Sequence, residues 1–568
     1  MSRKRENVRQ CKAIRQLIDD NKYTKALELI DAIPLEEVGS LDDLYRYAEL
    51  YEKAERMDKK KEIFEINYAS LHENITAIRK ALLKEGFLKK HIALIGTSSV
   101  EWIESYLGII TGGCVAVPLD AGLPDKDLTD LINRSDSEAL FLSPKNLSLL
   151  SSILADCPKL KNIWILNSDN NDTEKNSILN KISAFANNSI NNSNTVSFVS
   201  DLKNIVRTSD NDADRPAPDD TATIIFTSGT TGKSKGVMLT HNNLASNVQS
   251  VNYYTESGTV MLSVLPVHHV YCLVMDWLKG FSLGATVCIN DSLMHMMRNM
   301  GVFKPEVILM VPMMVETIYK RLAAADPSIP PNILANKIFG GNLRIIFMGG
   351  AHLDPFYIDK FAEYGIDIYE GYGMSECSPV ISSNLPGCHK TGSIGRPLSN
   401  AEISFDNGEI LVRGTSVMKG YYNMPKETAE TLRDGWLHTG DKGYIDEDGF
   451  LFINGRVKNL IILSNGENIS PEEIENKLAL DELVGEVIVT GEKNGLTARI
   501  YPEQELVIAA NMTEDEVRKN LQAFIDQYNS GQPTYRRITG LVIRKNPFIR
   551  SSTKKIKRQE ALIDEPMI

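Results

Sequence analysis

The densest chemistry in the chain is the run Thr227-Ser228-Gly229-Thr230-Thr231-Gly232-Lys233-Ser234-Lys235-Gly236, which follows the apolar stretch TATIIF. Glycines let a backbone approach a polyphosphate closely and turn its N–H groups inward. The hydroxyls add donors, and the lysines offset anionic charge. A Walker A loop needs four residues between its first glycine and the Gly-Lys pair. Only two separate Gly229 from Gly232-Lys233. The run is therefore a phosphate loop of another construction, and a P-loop ATPase or kinase fails on the spacing. The later segments LRIIFMGG and IDIYEGYG repeat the order of apolar strand followed by glycine. Open α/β sheets bind ligands at the carboxyl ends of their strands, so three such loops can converge on one site.

Four more motifs follow in order: Tyr372-Gly373-Met374-Ser375-Glu376, Trp436-Leu437-His438-Thr439-Gly440-Asp441, Gly455-Arg456-Val457-Lys458 and Ser552-Thr553-Lys554-Lys555-Ile556-Lys557-Arg558. Together with the glycine-rich run, this set resembles the signatures of the adenylate-forming superfamily. That superfamily includes acyl-CoA synthetases, nonribosomal peptide adenylation domains and luciferases. The resemblance covers about residues 40 to 568. Two of its motifs depart from the usual pattern. Ser375 replaces a threonine while keeping the hydroxyl, and Lys554 stands where the family has glycine.

The resemblance implies ATP and Mg2+ as ligands, and the residue types suit them. Thr227, Ser228, Gly229, Thr230, Thr231, Gly232 and Lys233 would cradle the phosphates. Glu376, with Thr227, would hold Mg2+ against them, since hard oxygen donors suit that ion. Tyr372 can stack on adenine, with Gly349, Gly350 and Ala351 forming the other side of a slot. Glu370, Gly371, Gly373, Met374 and Ser375 complete this nucleotide-contacting stretch. Asp441 is an acceptor-only group suited to two ribose hydroxyls, and Arg456 reaches ribose or phosphate. Lys555 is the expected catalytic cation. It would bridge the acid's carboxylate and the α-phosphate, two anions that need fixed positive charge to meet. The resemblance makes Lys458 a hinge about which a small C-terminal domain turns after pyrophosphate leaves. That turn would bring Ser464, Asn465, Gly466 and Glu467 to a thiol tunnel for coenzyme A. His269, in Leu265-Pro266-Val267-His268-His269, matches a family histidine near the reacting carboxylate and the mouth of the acyl pocket. No carboxylate at metal spacing supports a zinc site.

The acid's pocket is expected between VLPVHHVYCLVMDWL, IIFMGGAH and the residues after Glu376. These segments are apolar and offer no partner for an α-ammonium group. The blocks YGMSECSPVISSN, GSIGRPL and VKNLIILSNGENISPEEIE are similar to those of bacterial long-chain fatty acyl-CoA synthetases. The implied reaction converts a medium- or long-chain fatty acid to acyl-AMP with release of pyrophosphate, then forms a thioester with coenzyme A. A free-standing ligase loading an acyl, aryl or unusual acid onto an acyl carrier protein is an alternative. A non-catalytic scaffold and a light-emitting oxidative relative are two more. Intact Lys555, Glu376 and Asp441 argue against the scaffold.

The elements that must position these groups read as α/β. HIALIGTSS, CVAVPL and TATIIF are strands, and WIESYLGIITGG is a helix between them. Such alternation predicts mainly parallel sheets. Residues 1–60 read as a helical N-terminal extension, and 61–456 as a large AMP-binding domain of several subdomains. Residues 457–568 read as a small mobile α/β C-terminal domain carrying the catalytic lysine. The Asn- and Ser-rich stretch 167–199 is expected to be a surface excursion around one short helix.

The whole chain sets the outer limits. Its 568 residues, 42% hydrophobic, can bury a large core. A net charge of −12 disfavours nucleic acid as a partner. Seven scattered cysteines form no disulfide pattern, and no run of about 20 apolar residues could span a bilayer. The expected compartment is the cytoplasm, with peripheral membrane contact open to a greasy substrate. The oligomeric state is not legible.

Overall fold

The computed structural model describes residues 63–166, 172–186, 195–204, 215–227, 234–253, 255–323, 325, 328–462, 468–492, 495–550, 556 and 558. The expected N-terminal extension, Ser228 to Lys233, Ser464 to Glu467 and Lys555 lie outside the described residues. The chain divides into two compact units. One holds 1–391, 397–402 and 414–432; the other holds 392–396, 403–413 and 433–568. The expected hinge at Lys458 falls within the second unit.

The first unit is built on two large sheets. Strands β1 (His91–Ile95), β2 (Val115–Leu119), β3 (Ser137–Leu142), β4 (Asn162–Ile165), β5 (Thr195–Phe198), β6 (Thr221–Thr227) and β7 (Lys235–Thr240) form one of them. Its order is β7-β6-β2-β1-β3-β4-β5, with the short strand Gly420–Tyr421 outside β7. All neighbours from β6 through β5 run parallel. β7 turns back antiparallel on β6, and Gly420–Tyr421 pairs antiparallel with β7. Strands such as IALI and AVPL are apolar without alternation because the sheet is covered on both faces.

The second sheet contains β8 (Val260–Ser263), β9 (Thr286–Ile289), β10 (Val307–Met310), β11 (Ile345–Met348), β12 (Asp367–Gly373) and β13 (Val380–Ser383). Their order is β13-β12-β11-β10-β8-β9. From β9 to β12 the strands are parallel, while β13 returns antiparallel along β12. The mainly parallel sheets expected from sequence are present.

The stretch 167–199 differs from its expectation. It carries a 15-residue helix, Asp172–Ala186, and ends in β5, which pairs with β4. Ile178 and Ile182 are four residues apart, so they share one helix face, and both are buried in the core of the first sheet. The asparagines mask a minimal apolar pattern that still anchors the helix.

In the second unit, Trp436–Ile445 pairs antiparallel with both Glu409–Gly414 and Leu451–Arg456. Farther on, Val484–Glu492, Gly495–Pro502 and Ile538–Ile543 form a three-stranded sheet. Helices Pro471–Leu478 and Glu514–Ser530 bury Ile474, Leu478, Leu521 and Ile525 in the same core.

Candidate active site

The two legs of the glycine-rich loop are adjacent strands. β6 ends at Thr227, and β7 begins at Lys235 directly opposite it in the ladder. Thr227 is half-buried, and its hydroxyl donates weakly to the Lys235 carbonyl at 3.5 Å. The outer edge of β7 is where a distant part of the chain attaches. Lys419 N–H donates to Met238 O, and Tyr422 N–H to Gly236 O. The strand Gly420–Tyr421 lies between these two bonds.

That strand brings Tyr421 to Glu376. The Tyr421 hydroxyl donates to Glu376 Oε1 at 2.7 Å, and Met418 N–H donates to Glu376 O at 2.8 Å. Burial, with the facing carboxylate of Glu376, raises the Tyr421 phenol above its ordinary range. It therefore remains a donor at neutral pH. The Lys235 ammonium lies 4.7 Å from the Tyr421 ring centroid, a cation–π distance. Thr227, Lys235, Tyr421 and Glu376 thus form a continuous series, although Glu376 is about 150 residues from the loop.

Glu376 sits in a single turn, Ser375–Cys377, that follows β12. This turn is held from behind by the helix His241–Ser250. Thr240 caps that helix through a capping box with Asn243. Asn243 and Asn247 are four residues apart and point the same way. Asn247 Nδ2 donates to Val380 O at 2.7 Å and Cys377 O at 3.3 Å, while its Oδ1 accepts from Val380 N–H at 3.2 Å. Asn243 Nδ2 donates to Thr415 O and Val417 O. One helix face therefore fixes both the Glu376 turn and the segment leading to Tyr421. Sequence reasoning missed Tyr421, Asn243 and Asn247. The asparagines at i and i+4 after a helix cap were a readable signal; for Tyr421 there was none.

The stretch expected to contact nucleotide lies on β12 and its neighbours. Glu370 is buried on β12, beside β11. It accepts from Leu353 N–H at 3.3 Å and lies 3.8 Å from His352 Nδ1. Burial pushes its carboxyl up to about 8, a value at which it holds a proton at neutral pH. Glu370 thereby ties the loop after Gly350 and Ala351 to the strand of Tyr372. Gly371 and Tyr372 face Ser383 and Ser382 of β13. A Cβ on Gly373 would sit 2.0 Å from Pro379 O, so only glycine admits this crossing. Met374 N–H donates to the same Pro379 oxygen at 2.9 Å.

The two expected walls of the acid pocket do meet. Tyr271, on the PVHH segment, donates through its hydroxyl to Phe347 O at 3.2 Å. A Cβ on Gly349 would lie 3.2 Å from its ring. Gly350, at φ +88°, then turns the chain in a conformation that favours glycine. His269 is exposed, and its Nδ1 accepts from Tyr271 N–H at 3.4 Å. Its neighbour His268 approaches Asp120, at the end of β2, within 3.8 Å. Behind Tyr271, the wide helix Cys272–Leu278 buries Asp276 completely. Ser263 Oγ donates to Asp276 Oδ2 at 3.1 Å, and burial pushes the carboxyl up to about 7.

In the second unit, Asp441 and Arg456 are cross-strand partners, with Nε to Oδ1 at 3.0 Å. Asp441 is buried, while Arg456 is largely exposed. Gly440, at φ +73°, donates its N–H to Glu409 Oε1 at 2.9 Å, which fixes the turn before Asp441. Lys458 lies in the turn Val457–Asn459.

As a test of fit, the donors around Glu376 suit Mg2+. They are hard oxygens, and among the described residues no group of three or more His, Cys, Asp or Glu side chains forms a metal cage. A magnesium ion needs only one or two carboxylates when phosphate supplies the rest.

Comparison with known proteins agrees with this geometry. Residues 46–422 match the family model described as AMP-binding enzyme, and 458–564 match its AMP-binding enzyme C-terminal domain. The long-chain-fatty-acid–CoA ligase FadD15 of Mycobacterium bovis is 32% identical over 330 residues, which is 50% of this chain and 55% of the relative. The match thus spans about half of each protein. An oxalate–CoA ligase of Arabidopsis thaliana is 29% identical over 81% of this chain and 88% of its own. Among solved structures, the anthranilate CoA ligase AuaEII with anthranoyl-AMP superposes with TM-score 0.71 at 20% identity, covering 87% of this chain and 91% of that one. Family models over most of the chain and the shared fold lead to one conclusion: the chain belongs to the AMP-binding enzyme family of the adenylate-forming superfamily.

Proposed function

We propose that this protein is an AMP-forming acid–thiol ligase whose acid is a medium- or long-chain fatty acid and whose thiol is coenzyme A. The observation that carries the reading is the buried Glu376, oriented by Tyr421 next to the strands that frame the phosphate loop. In the first half-reaction the acid's carboxylate oxygen attacks the α-phosphorus of ATP. The bond to the bridging oxygen breaks, and pyrophosphate leaves. Glu376 and Thr227 would hold Mg2+, which supplies charge neutralisation on the phosphates. Tyr421 keeps the Glu376 carboxylate aimed, and Lys235 adds positive charge nearby. Tyr372 and the Gly350–Ala351 turn would enclose the base, with Asp441 and Arg456 on the ribose. Lys555 would bridge the two reacting anions. In the second half-reaction the thiolate attacks the acyl carbon and AMP leaves; rotation about Lys458 and the loop from Ser464 to Glu467 would serve this step.

The fatty acid is supported by the apolar character of the segments around Tyr271 and Gly349 and by relatives named as long-chain-fatty-acid–CoA ligases. The test is AMP release from ATP across acids running from oxalate and acetate to long-chain fatty acids, with aryl and amino acids alongside. Expected is AMP and acyl-CoA in equal amounts with one class of fatty acid. Acid-dependent ATP–pyrophosphate exchange without acyl-CoA would move the acceptor to an acyl carrier protein. Activity confined to oxalate or aryl acids would overturn the fatty-acid assignment.

A further inference from the structure

Arg134 closes the helix Asp125–Arg134 of the first sheet, far in sequence from every motif above. Its Nη2 donates to Ser234 O at 2.6 Å, on the outgoing leg of the phosphate loop. The same guanidinium lies 5.7 Å from the ring centroid of Phe226, on the incoming leg. Nη1 reaches Asp130 at 3.4 Å, which steadies the fork. The next turn repeats the attachment. Asp136 accepts from the Tyr422 hydroxyl at 2.7 Å, and Tyr422 N–H bonds to Gly236 O. A guanidinium's planar, pre-organised fork can hold a carbonyl and lie against an aromatic face with less loss of side-chain freedom than a flexible ammonium. Arg134 also sits at the C-terminal end of its helix, where a cation is favoured.

We propose that Arg134 is a positioning residue for adenylation, clamping both legs of the phosphate loop so that the ATP-binding backbone is held at its working width. The inference rests on the ATP reading given above. Among the described residues, Arg134 contacts Ser234, Phe226 and Asp130, none of them assigned to the acid, so its effect should fall on ATP.

The test uses the full-length protein and R134A, with R134K beside it. In ATP–pyrophosphate exchange, R134A should raise KM for ATP about tenfold, as expected for losing one charged hydrogen bond. KM for the acid and the rate of thioester formation from supplied acyl-AMP should stay unchanged. Millimolar guanidinium should lower the raised KM, and R134K should recover it only in part. Hydrogen exchange read on peptides 221–227 and 234–240 should rise in R134A and nowhere else. An unchanged KM for ATP in an active enzyme overturns the inference. So does a loss shared equally by both half-reactions, or unchanged exchange in those two peptides. A wild-type protein without exchange for any acid would instead sink the ATP reading, and the hydrogen-exchange arm would still decide the clamp.

Discussion

The Tyr421 hydroxyl and the Glu376 carboxylate meet at 2.7 Å across 45 residues of chain. The bond joins the strand that flanks the glycine-rich run to the carboxylate that would hold magnesium. Y421F keeps the ring under Lys235 but removes the donor. A hydrogen bond to a charged group contributes about 1.5–3 kcal/mol. The variant should lose about tenfold to a hundredfold in kcat/KM for MgATP. Pyrophosphate exchange at varied magnesium would read this, with the midpoint in magnesium moving upward. An unaltered magnesium dependence would remove Tyr421 from the site.

Tyr271 stands where the two segments proposed to wall the acid pocket touch. Y271A should open the space between Gly349 and the wide helix and shift the preferred acid toward longer chains. Each additional methylene accommodated is worth about 0.8 kcal/mol, or roughly fourfold in kcat/KM. A panel of saturated acids assayed with both proteins checks this. The same optimum in wild type and variant would place the tunnel elsewhere.

Asp276 makes stability depend on pH. Burial holds its folded-state value at about 7, against an ordinary 3.8. Between those values the folded protein keeps a proton that the unfolded chain has released, so this contribution falls as pH rises and is fully lost above about 7. D276N cannot ionise. Its melting temperature relative to wild type should therefore climb from pH 5 to pH 8, reaching a gain of roughly 5 °C. A constant difference across that window would refute the assignment.

Asp441 pairs with an exposed arginine, so its loss should cost binding more than stability. D441N should raise KM for ATP about tenfold while lowering stability by about 1 kcal/mol or less, since the ion pair it weakens has an exposed partner. Urea melts and exchange kinetics on one preparation would separate the two effects.

Much of this was legible in sequence, for identifiable reasons. β6 and β11 are short, mostly apolar runs followed closely by glycine, and β12 itself ends in Gly373, so these strands could be read from that pattern. Glu376, Tyr372 and Asp441 sit in motifs with fixed spacing, so they could be named. Tyr421 and Arg134 could not, because they act through long-range contacts that leave no periodic trace, whereas Asn243 and Asn247 left an i, i+4 signal that went unread. The helix Asp172–Ala186 was hidden for a different reason. Two isoleucines suffice to anchor it, and its asparagines dominate any reading of composition.

The antiparallel edge of β7 also sets an order of events in the cell. β7 is made by residue 240, but the strand that covers its outer side begins at residue 420. At about 5–20 residues per second, the ribosome leaves that edge without its partner for roughly 10 to 40 seconds. An uncovered strand edge is a template for pairing with other chains. The connection that would complete the proposed phosphate site is thus also an interval in which the nascent protein offers an unpaired edge, and a window in which a chaperone would protect it.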